Sequence, residues 1–257
     1  MIDEMRTQHA EEATEILLDV PDRPAADLSL RADPATYKEH LRALQKQLRD
    51  LPGMLKERGQ SLMLVFEGWD ASGKGGAIRR ITDALREDRV QVFATSAPSP
   101  EEQARHYLWR FWRTVPPVGH IAIYDRSWYG RVLVERVEGF TEETAWRRAY
   151  GEIRDFERTM TDNGCVIRKF WLEISPQEQL ARFEARLNTP EKRHKLTAED
   201  WRNRSRRDAY ERALADMLRE TDTTAAPWEI IPAEDKKYAR LAVMESILHA
   251  PQQRAEH

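Results

Sequence analysis

The residues best suited to chemistry in this chain begin with a loop bounded by two glycines. Residues 68–74 read Gly-Trp-Asp-Ala-Ser-Gly-Lys, which fits the first seven positions of the phosphate-binding pattern G-x-x-x-x-G-K. In such a loop the backbone N–H groups converge on phosphate oxygens, and the lysine, here Lys74, adds a full charge. A plain glycine turn between a strand and a helix is the simpler alternative. We predict a phosphate site formed by Gly68, Ala71, Ser72, Gly73, Lys74, Gly75 and Gly76.

The position after Lys74 departs from the usual pattern. Loops that bind nucleoside triphosphates place Ser or Thr there to hold Mg²⁺, whereas this chain has Gly75. A metal ion would therefore need another ligand. Asp70, inside the loop, is the predicted replacement, because a carboxylate facing phosphates would repel them unless a cation lay between.

A second carboxylate follows the short apolar segment 121–124, which predicts a strand ending near Asp125. Ligands of open α/β sheets bind at the carboxyl ends of the strands, so we predict that Asp125 is the second metal ligand. A helix cap is the structural alternative. Arg126 and Arg131 come next and are expected to face phosphates and to spread the charge of a transition state.

The segment Arg182–Arg212 differs in charge from the rest of the chain. It carries ten Lys and Arg residues against six acids, in a chain whose formal net charge is −3. A solvated helical face would explain such a run. Its position between two predicted strands, and its interruption at Pro190, instead favour a cationic helical lid over an anionic substrate.

Apolar segments and amphipathic segments alternate from Tyr37 onward. This alternation predicts an α/β fold with a parallel sheet covered by helices on both faces. We predict an N-terminal arm over 1–33 and one domain over 34–257. The predicted strands are 62–66, 90–95, 121–124, 166–174 and 229–231; the predicted helices are 37 to about 52, one from 76, 101–113, 142–162 and one from 176.

Composition limits the class of protein. The chain has 257 residues with 41 Lys and Arg against 44 Asp and Glu, so a generally nucleic-acid-binding surface is not expected. Its single cysteine, Cys165, excludes a disulfide framework and favours a reducing compartment, the cytoplasm. The longest apolar run, Leu62–Phe66, is too short to cross a bilayer, so no membrane association and no signal peptide are expected.

Several longer segments carry a resemblance to a known family. The segments are 66–76 (FEGWDASGKGG), 106–112 (HYLWRFW), 124–131 (YDRSWYGR), 169–172 (KFWL), 189–192 (TPEK) and 200–204 (DWRNR). Together they resemble the type-2 polyphosphate kinases. The resemblance implies a three-layer P-loop kinase fold with a helical basic lid, and assembly as a homodimer or homotetramer. It also implies Mg²⁺-dependent phosphate transfer between inorganic polyphosphate and nucleotides.

The resemblance also implies roles for individual residues. Asp70, Lys74, Asp125 and Arg126 match the active-site positions of that family, with Asp70 and Asp125 as metal ligands. Arg182, Arg186 and Lys192 fall in its lid, which would span about 182–212, and are expected to bind phosphate.

The acceptor is predicted from two further segments. The Trp69 form of the loop and the tract 132–139 look most like the group that phosphorylates AMP to ADP. A polyphosphate:ADP or GDP phosphotransferase of the same family is the alternative. An ATP-dependent nucleoside monophosphate kinase is disfavoured by Gly75, and a non-catalytic binding module is disfavoured by the presence of both Asp70 and Asp125.

Overall fold

Five parallel strands form the central sheet of the computed structural model, which describes residues 24–250 without the side chain of Lys195. Their order across the sheet is β2-β3-β1-β4-β5. Helices flank the sheet, as the alternation of segments predicts. The strands are β1 (Ser61–Gly68), β2 (Val90–Ala94), β3 (Ile121–Asp125), β4 (Cys165–Glu173) and β5 (Trp228–Pro232).

Ten α-helices and three 3₁₀ turns connect and cover these strands within residues 24–250. The helices are α1 (Tyr37–Glu57), α2 (Lys74–Thr82), α3 (Pro100–Gln103), α4 (Trp109–Trp112), α5 (Val134–Val137), α6 (Glu143–Asp162), α7 (Pro176–Leu187), α8 (Ala198–Ser205), α9 (Arg207–Thr221) and α10 (Lys236–His249). The 3₁₀ turns are Glu87–Arg89, Trp128–Arg131 and Pro190–Lys195. None of the helices in this part of the chain is long and apolar enough to cross a membrane.

Strand β1 lies at the centre of the sheet. Its residues from Ser61 to Glu67 are buried, as expected for a strand covered on both faces. It pairs with β3 on one side and β4 on the other, and the β3 register places Phe66 opposite Asp125. The loop after β1 and the carboxyl end of β3 therefore meet at the same edge of the sheet.

The predicted end of the first helix is wrong. Helix α1 continues through Pro52 and ends at Glu57. Proline removes one helical hydrogen bond. Leu51 and Leu55 on either side of it have no exposed surface, and their burial stabilises the helix where this hydrogen bond is missing.

The predicted helix 101–113 is also wrong, because it is two short helices, α3 and α4, separated by a turn. Ser99 is the N-cap of α3 and forms a capping box with Glu102. Residues 103–106 are exposed, so no packing extends that first turn. Leu108 and Phe111 are buried, and their contacts with the core start α4 separately.

The predicted N-terminal arm lies mostly outside the described residues, since the structure describes only its end from residue 24. That end contacts the domain: the Ala32 N–H donates to Oδ2 of Asp235 at 2.9 Å, and Ala32 is buried. The described end of the predicted arm therefore contacts the start of α10.

Candidate active site

The loop between β1 and α2 needs glycine at both of its ends. Gly68 has a φ of 139°, and a Cβ atom there would lie 2.6 Å from the carbonyl oxygen of Leu172. Gly73, with a φ of 114°, precedes the first residue of α2. Both positions lie in the region of backbone conformation that favours glycine. The fold therefore requires glycine at both positions, because of the close approach of Leu172 at Gly68 and because of the backbone conformation at Gly73.

Lys74 is folded back over its own loop. Its Nζ donates to the carbonyl oxygens of Gly68 at 2.6 Å and Trp69 at 3.2 Å. Burial lowers the pKa of Lys74, while the Asp70 carboxylate opposes that shift. The ammonium group is thus held inside the loop by two backbone acceptors.

Asp70 is held by two side chains from distant parts of the chain. Its Oδ1 accepts from Nη2 of Arg126, and its Oδ2 accepts from Nδ2 of Asn203, each at 2.9 Å. The side chain of Asp70 is 12% exposed and that of Arg126 is 41% exposed. The carboxylate therefore has a defined orientation, and its arginine partner remains accessible to solvent.

The turn after β3 directs Arg126 towards Asp70. Arg126 has a φ of 62°, which is unusual for a residue with a side chain, and its N–H donates to the carbonyl of Phe66 at 3.0 Å. Ser127 then donates its hydroxyl to Glu67 at 2.9 Å. Burial raises the pKa of Glu67, and the Ser127 hydrogen bond opposes that rise. The turn is thus anchored to β1 at two points.

Helix α8 contributes two residues that sequence reasoning did not assign to the site. They are Asn203, which contacts Asp70, and Glu199, whose Oε1 lies 3.6 Å from Nη1 of Arg126. The sequence signal for Asn203 was its place in the segment 200–204, which resembles the family. No local pattern indicates that α8 packs over a loop more than 100 residues away.

Trp69, next to Asp70, is anchored to β4. Its indole N–H donates to Oε1 of Glu173 at 2.9 Å, and Trp171 donates to the other oxygen of the same carboxylate at 2.7 Å. The guanidinium of Arg207 lies 3.9 Å from the centre of the Trp69 ring. These contacts hold the loop against β4 and the start of α9.

A cavity of about 960 Å³ opens beside these residues. It is lined by Asp70, Asp125, Arg126, Arg131 and the segment 94–98 at the end of β2, among others. This volume is in the range of small-molecule sites. The two predicted metal ligands and two of the predicted arginines thus share one cavity.

Arg131 lies in the cavity wall. It pairs with Glu135 at 2.8 Å, donates to the Thr141 hydroxyl and stacks on the ring of Tyr107 at 4.5 Å. These contacts hold its guanidinium against the wall between the Trp128–Arg131 turn and α4.

The three predicted phosphate-binding residues of the basic segment do not line this cavity. Arg182 is buried and bonded to the backbone of the phosphate loop. Arg186 is half-buried near the end of α7, and Lys192 is exposed on the 3₁₀ turn. The basic segment is thus divided into a buried beginning and an exposed middle.

The side chains around Asp70 supply only part of the ligand set that a metal ion needs. Within residues 24–250 no group of three or more His, Cys, Asp or Glu side chains forms a complete metal cage. Mg²⁺ is commonly held by one or two carboxylates together with substrate phosphates and water. Asp70 and Asp125, which line the same cavity, fit that type of site.

A parallel sheet with a glycine loop and Lys74 after its central strand, and a cavity lined by both arginines and carboxylates at the carboxyl ends of its strands, defines a fold of the P-loop kinase type. Similarity to known proteins identifies the family within this fold type. A family model described as polyphosphate kinase 2 matches residues 31–257. The chain belongs to the polyphosphate kinase 2 family.

Individual relatives agree with this membership. Polyphosphate:AMP phosphotransferase of Pseudomonas aeruginosa is 50% identical over 221 residues, which make up 86% of this chain and 45% of that protein. ADP-polyphosphate phosphotransferase 3 of Rhizobium meliloti is 38% identical over 224 residues, covering 87% of this chain and 79% of that protein. The chain thus spans about half the length of the polyphosphate:AMP phosphotransferase it matches.

The fold agrees as well. A solved structure from Pseudomonas aeruginosa PA01, described as polyphosphate kinase 2, superposes with a TM-score of 0.86 at 49% identity. The match covers 89% of this chain and 49% of that chain. The predicted α/β fold, with its P-loop kinase core, is confirmed.

Proposed function

We propose that this chain transfers a terminal phosphoryl group from inorganic polyphosphate to a nucleotide, with AMP as the preferred acceptor and ADP as the product. The observation that carries the proposal is the Asp70–Arg126 pair at the cavity beside a phosphate loop that lacks its Ser or Thr. In that geometry a carboxylate takes the place of the missing hydroxyl, and an accessible arginine stands next to it. Family membership supports the same reaction.

The residues of the site have separable roles in this reaction. Phosphoryl transfer brings several anions together, so catalysis is mainly positioning and charge neutralisation. Lys74 and the loop amides bind phosphate oxygens. Arg126 stabilises the charge on the transferring group, because its guanidinium is exposed to the cavity and already oriented by Asp70.

Mg²⁺ is the cofactor that the donor set fits, held by Asp70 and Asp125. Bound there, Mg²⁺ would neutralise phosphate charge. Because Oδ1 of Asp70 accepts from Nη2 of Arg126, a metal ion held by Asp70 would compete for that oxygen and would leave the Arg126 guanidinium free to bind phosphate. No general base is required, because the acceptor phosphate is already an anion near neutral pH.

The choice of AMP rests on two supports. The chain is 50% identical to a polyphosphate:AMP phosphotransferase and 38% identical to an ADP-polyphosphate phosphotransferase. The loop also carries Trp69, which Glu173 and Arg207 hold rigidly beside Asp70. With the loop fixed in this way, the extra phosphate of a longer acceptor would displace the acceptor's terminal phosphate from its position opposite the donor. A misplacement of about 1 Å can reduce turnover about a hundredfold.

A cytoplasmic location and assembly as a homodimer or homotetramer belong to the same proposal. Light scattering on purified full-length protein tests the assembly. A monomer at micromolar concentration would contradict it.

The reaction is tested with a matrix of donors and acceptors. Polyphosphate or ATP is supplied as donor to AMP, GMP, ADP and GDP with Mg²⁺, and the nucleotide products are separated by chromatography. We expect polyphosphate with AMP to give the highest kcat/KM. A preference for ADP would assign the chain to diphosphate acceptors, and transfer from ATP without any from polyphosphate would contradict the proposal.

A further inference from the structure

Arg182 on α7 is the most completely bonded cation next to the phosphate loop. Its Nη1 donates to the carbonyl oxygens of Ala71 at 2.9 Å and Ser72 at 2.8 Å. Its Nη2 donates to the carbonyl oxygens of Ala233 at 2.7 Å and Glu234 at 2.9 Å. Its Nε donates to the Glu178 carboxylate at 2.6 Å.

These contacts use the whole hydrogen-bonding capacity of the side chain. A guanidinium has five N–H donors and no acceptor, and Arg182 makes five hydrogen bonds. Its side chain is only 5% exposed. A phosphate oxygen could be bound by Arg182 only if one of these acceptors lost its partner, and at the buried carbonyls of Ser72 and Ala233 that loss carries a desolvation penalty.

The bonds join two segments that are far apart in the sequence. Ala71 and Ser72 belong to the loop after β1, whereas Ala233 and Glu234 belong to the turn between β5 and α10. Ala71 has a φ of 64°, an uncommon conformation for a residue with a side chain. Arg182 therefore stabilises an unfavourable loop conformation by bonding it to a neighbouring turn.

The direction of these bonds affects the phosphate-binding side of the loop. In a trans peptide the C=O and the following N–H point in opposite directions. Since the carbonyl of Ser72 points to Arg182, the N–H of Gly73 points away from it. Fixing the carbonyl thus also fixes the N–H of Gly73, one of the amides expected to bind phosphate.

We propose that Arg182 is a positioning residue that holds the phosphate loop in its binding conformation and does not itself bind polyphosphate. The kinetic part of this inference rests on the proposed function. Its structural part, the bonding of residues 71–72 to residues 233–234, does not depend on which reaction the protein catalyses.

The decisive variants are Arg182→Lys and Arg182→Gln. Lysine keeps the positive charge but cannot make five divergent bonds, so a phosphate contact would survive in Arg182→Lys while the positioning function would be lost. Arg186→Ala, which removes an arginine one turn away on the same helix, serves as the comparison for a direct charge effect. Met160→Ala, a buried substitution at the far end of α6, is the control for general destabilisation.

Hydrogen exchange of the substrate-free full-length protein is measured first. We expect exchange of loop residues 68–76 and turn residues 232–236 to become about tenfold faster in Arg182→Lys, but not in Met160→Ala. Unchanged exchange at both segments would overturn the positioning role, whatever the protein's activity. If Arg182→Gln does not fold, Arg182→Lys alone carries the test.

Kinetics then separate positioning from phosphate contact. We expect kcat of Arg182→Lys to fall about tenfold or more, with the KM for polyphosphate and its salt dependence within about twofold of the parent protein. A raised KM with unchanged kcat and a weaker salt dependence would overturn the inference. If the parent protein does not use polyphosphate, the proposed function fails, and the exchange result still decides the role of Arg182.

Discussion

Two ion pairs of the same type, one buried in the domain and one at the carboxyl ends of the strands, differ in their exposure to solvent. Lys169 on β4 pairs with Glu157 on α6 at 2.8 Å, and their side chains are 0% and 2% exposed. Arg126 pairs with Asp70 at a similar distance, 2.9 Å, but its side chain is 41% exposed. One pair is sealed inside the domain, and the other faces a cavity.

The sealed pair has all its partners inside the protein. Lys169 also donates to the Tyr129 hydroxyl at 2.9 Å and the Thr221 carbonyl at 2.7 Å. Glu157 accepts from Tyr129 at 2.7 Å and from Trp128 at 3.1 Å. Burial raises the pKa of Glu157 and lowers that of Lys169, while their mutual attraction opposes both shifts.

The difference shows how solvent access decides the role of a charge pair. Removing one partner of a sealed pair leaves an unpaired charge in the interior. Such a pair therefore stabilises the folded conformation in which both partners are present. An accessible pair can exchange its partner for a metal ion or a phosphate at small cost. Lys169–Glu157 therefore secures the turn at Trp128–Arg131, and Asp70–Arg126 is available for chemistry.

The largest expected effect follows from breaking the sealed pair. Lys169→Met should lower the free energy of unfolding by about 3–5 kcal/mol, because it leaves Glu157 buried without a cation. Urea unfolding followed by circular dichroism measures the change. Activity per folded molecule should stay close to that of the parent protein.

A double variant sharpens this test. Adding Glu157→Gln to Lys169→Met removes the remaining buried charge and should recover part of the lost stability. Glu157→Gln alone gives the reference. If Glu157→Gln destabilises Lys169→Met as much as it destabilises the parent protein, the two side chains are not coupled, and the sealed pair has no special role.

The second-largest effect is expected on the catalytic rate, when either proposed metal carboxylate at the cavity is removed. Asp70→Asn and Asp125→Asn should each reduce kcat about a hundredfold or more, because each removes a carboxylate proposed to hold Mg²⁺ beside the transferring phosphate. Steady-state rates over a Mg²⁺ titration measure the change. Asp155→Asn, an exposed substitution on α6, is the matched control. Near-normal rate and Mg²⁺ dependence in Asp70→Asn would contradict its role as the replacement ligand.

A smaller effect is expected from the part of the basic segment that follows the buried Arg182. Arg186→Ala or Lys192→Ala should raise the KM for polyphosphate severalfold, with less effect on the nucleotide, because binding of a flexible polyanion depends on summed charge and weakens with salt. Rates at increasing ionic strength test this expectation. Arg158→Ala on α6 controls for loss of a surface charge. Equal effects on donor and acceptor would argue against a polyphosphate contact.

The smallest effect concerns Glu199, the second carboxylate near Arg126. It lies 3.6 Å from the guanidinium, and both side chains are substantially exposed. Glu199→Gln should lower the KM for the anionic substrates about two- to threefold, since it removes an accessible competitor for Arg126. Glu39→Gln, an exposed change on α1, should leave KM unchanged. A raised KM in Glu199→Gln would show that the carboxylate assists binding.

Local sequence patterns were sufficient for part of this description. The glycine loop, the apolar strand before it and Asp125 at the end of β3 follow from short segments, because glycine conformations and strand burial are imposed within a few residues. The same reasoning failed at Pro52 and at 101–113, where burial of Leu55, Leu108 and Phe111 decided the helix boundaries. Packing outweighed local propensity at both places.

The sequence by itself determined the fold class, the phosphate loop and the family to which the chain belongs. The tertiary structure alone decided which groups hold that loop. Asn203 reaches Asp70 across 133 positions of the chain, and Arg182 reaches Ala71 across 111. Such pairs depend on the order of strands and on how α7 and α8 pack over the sheet edge. No short pattern encodes that arrangement, because it results from burial of the whole core.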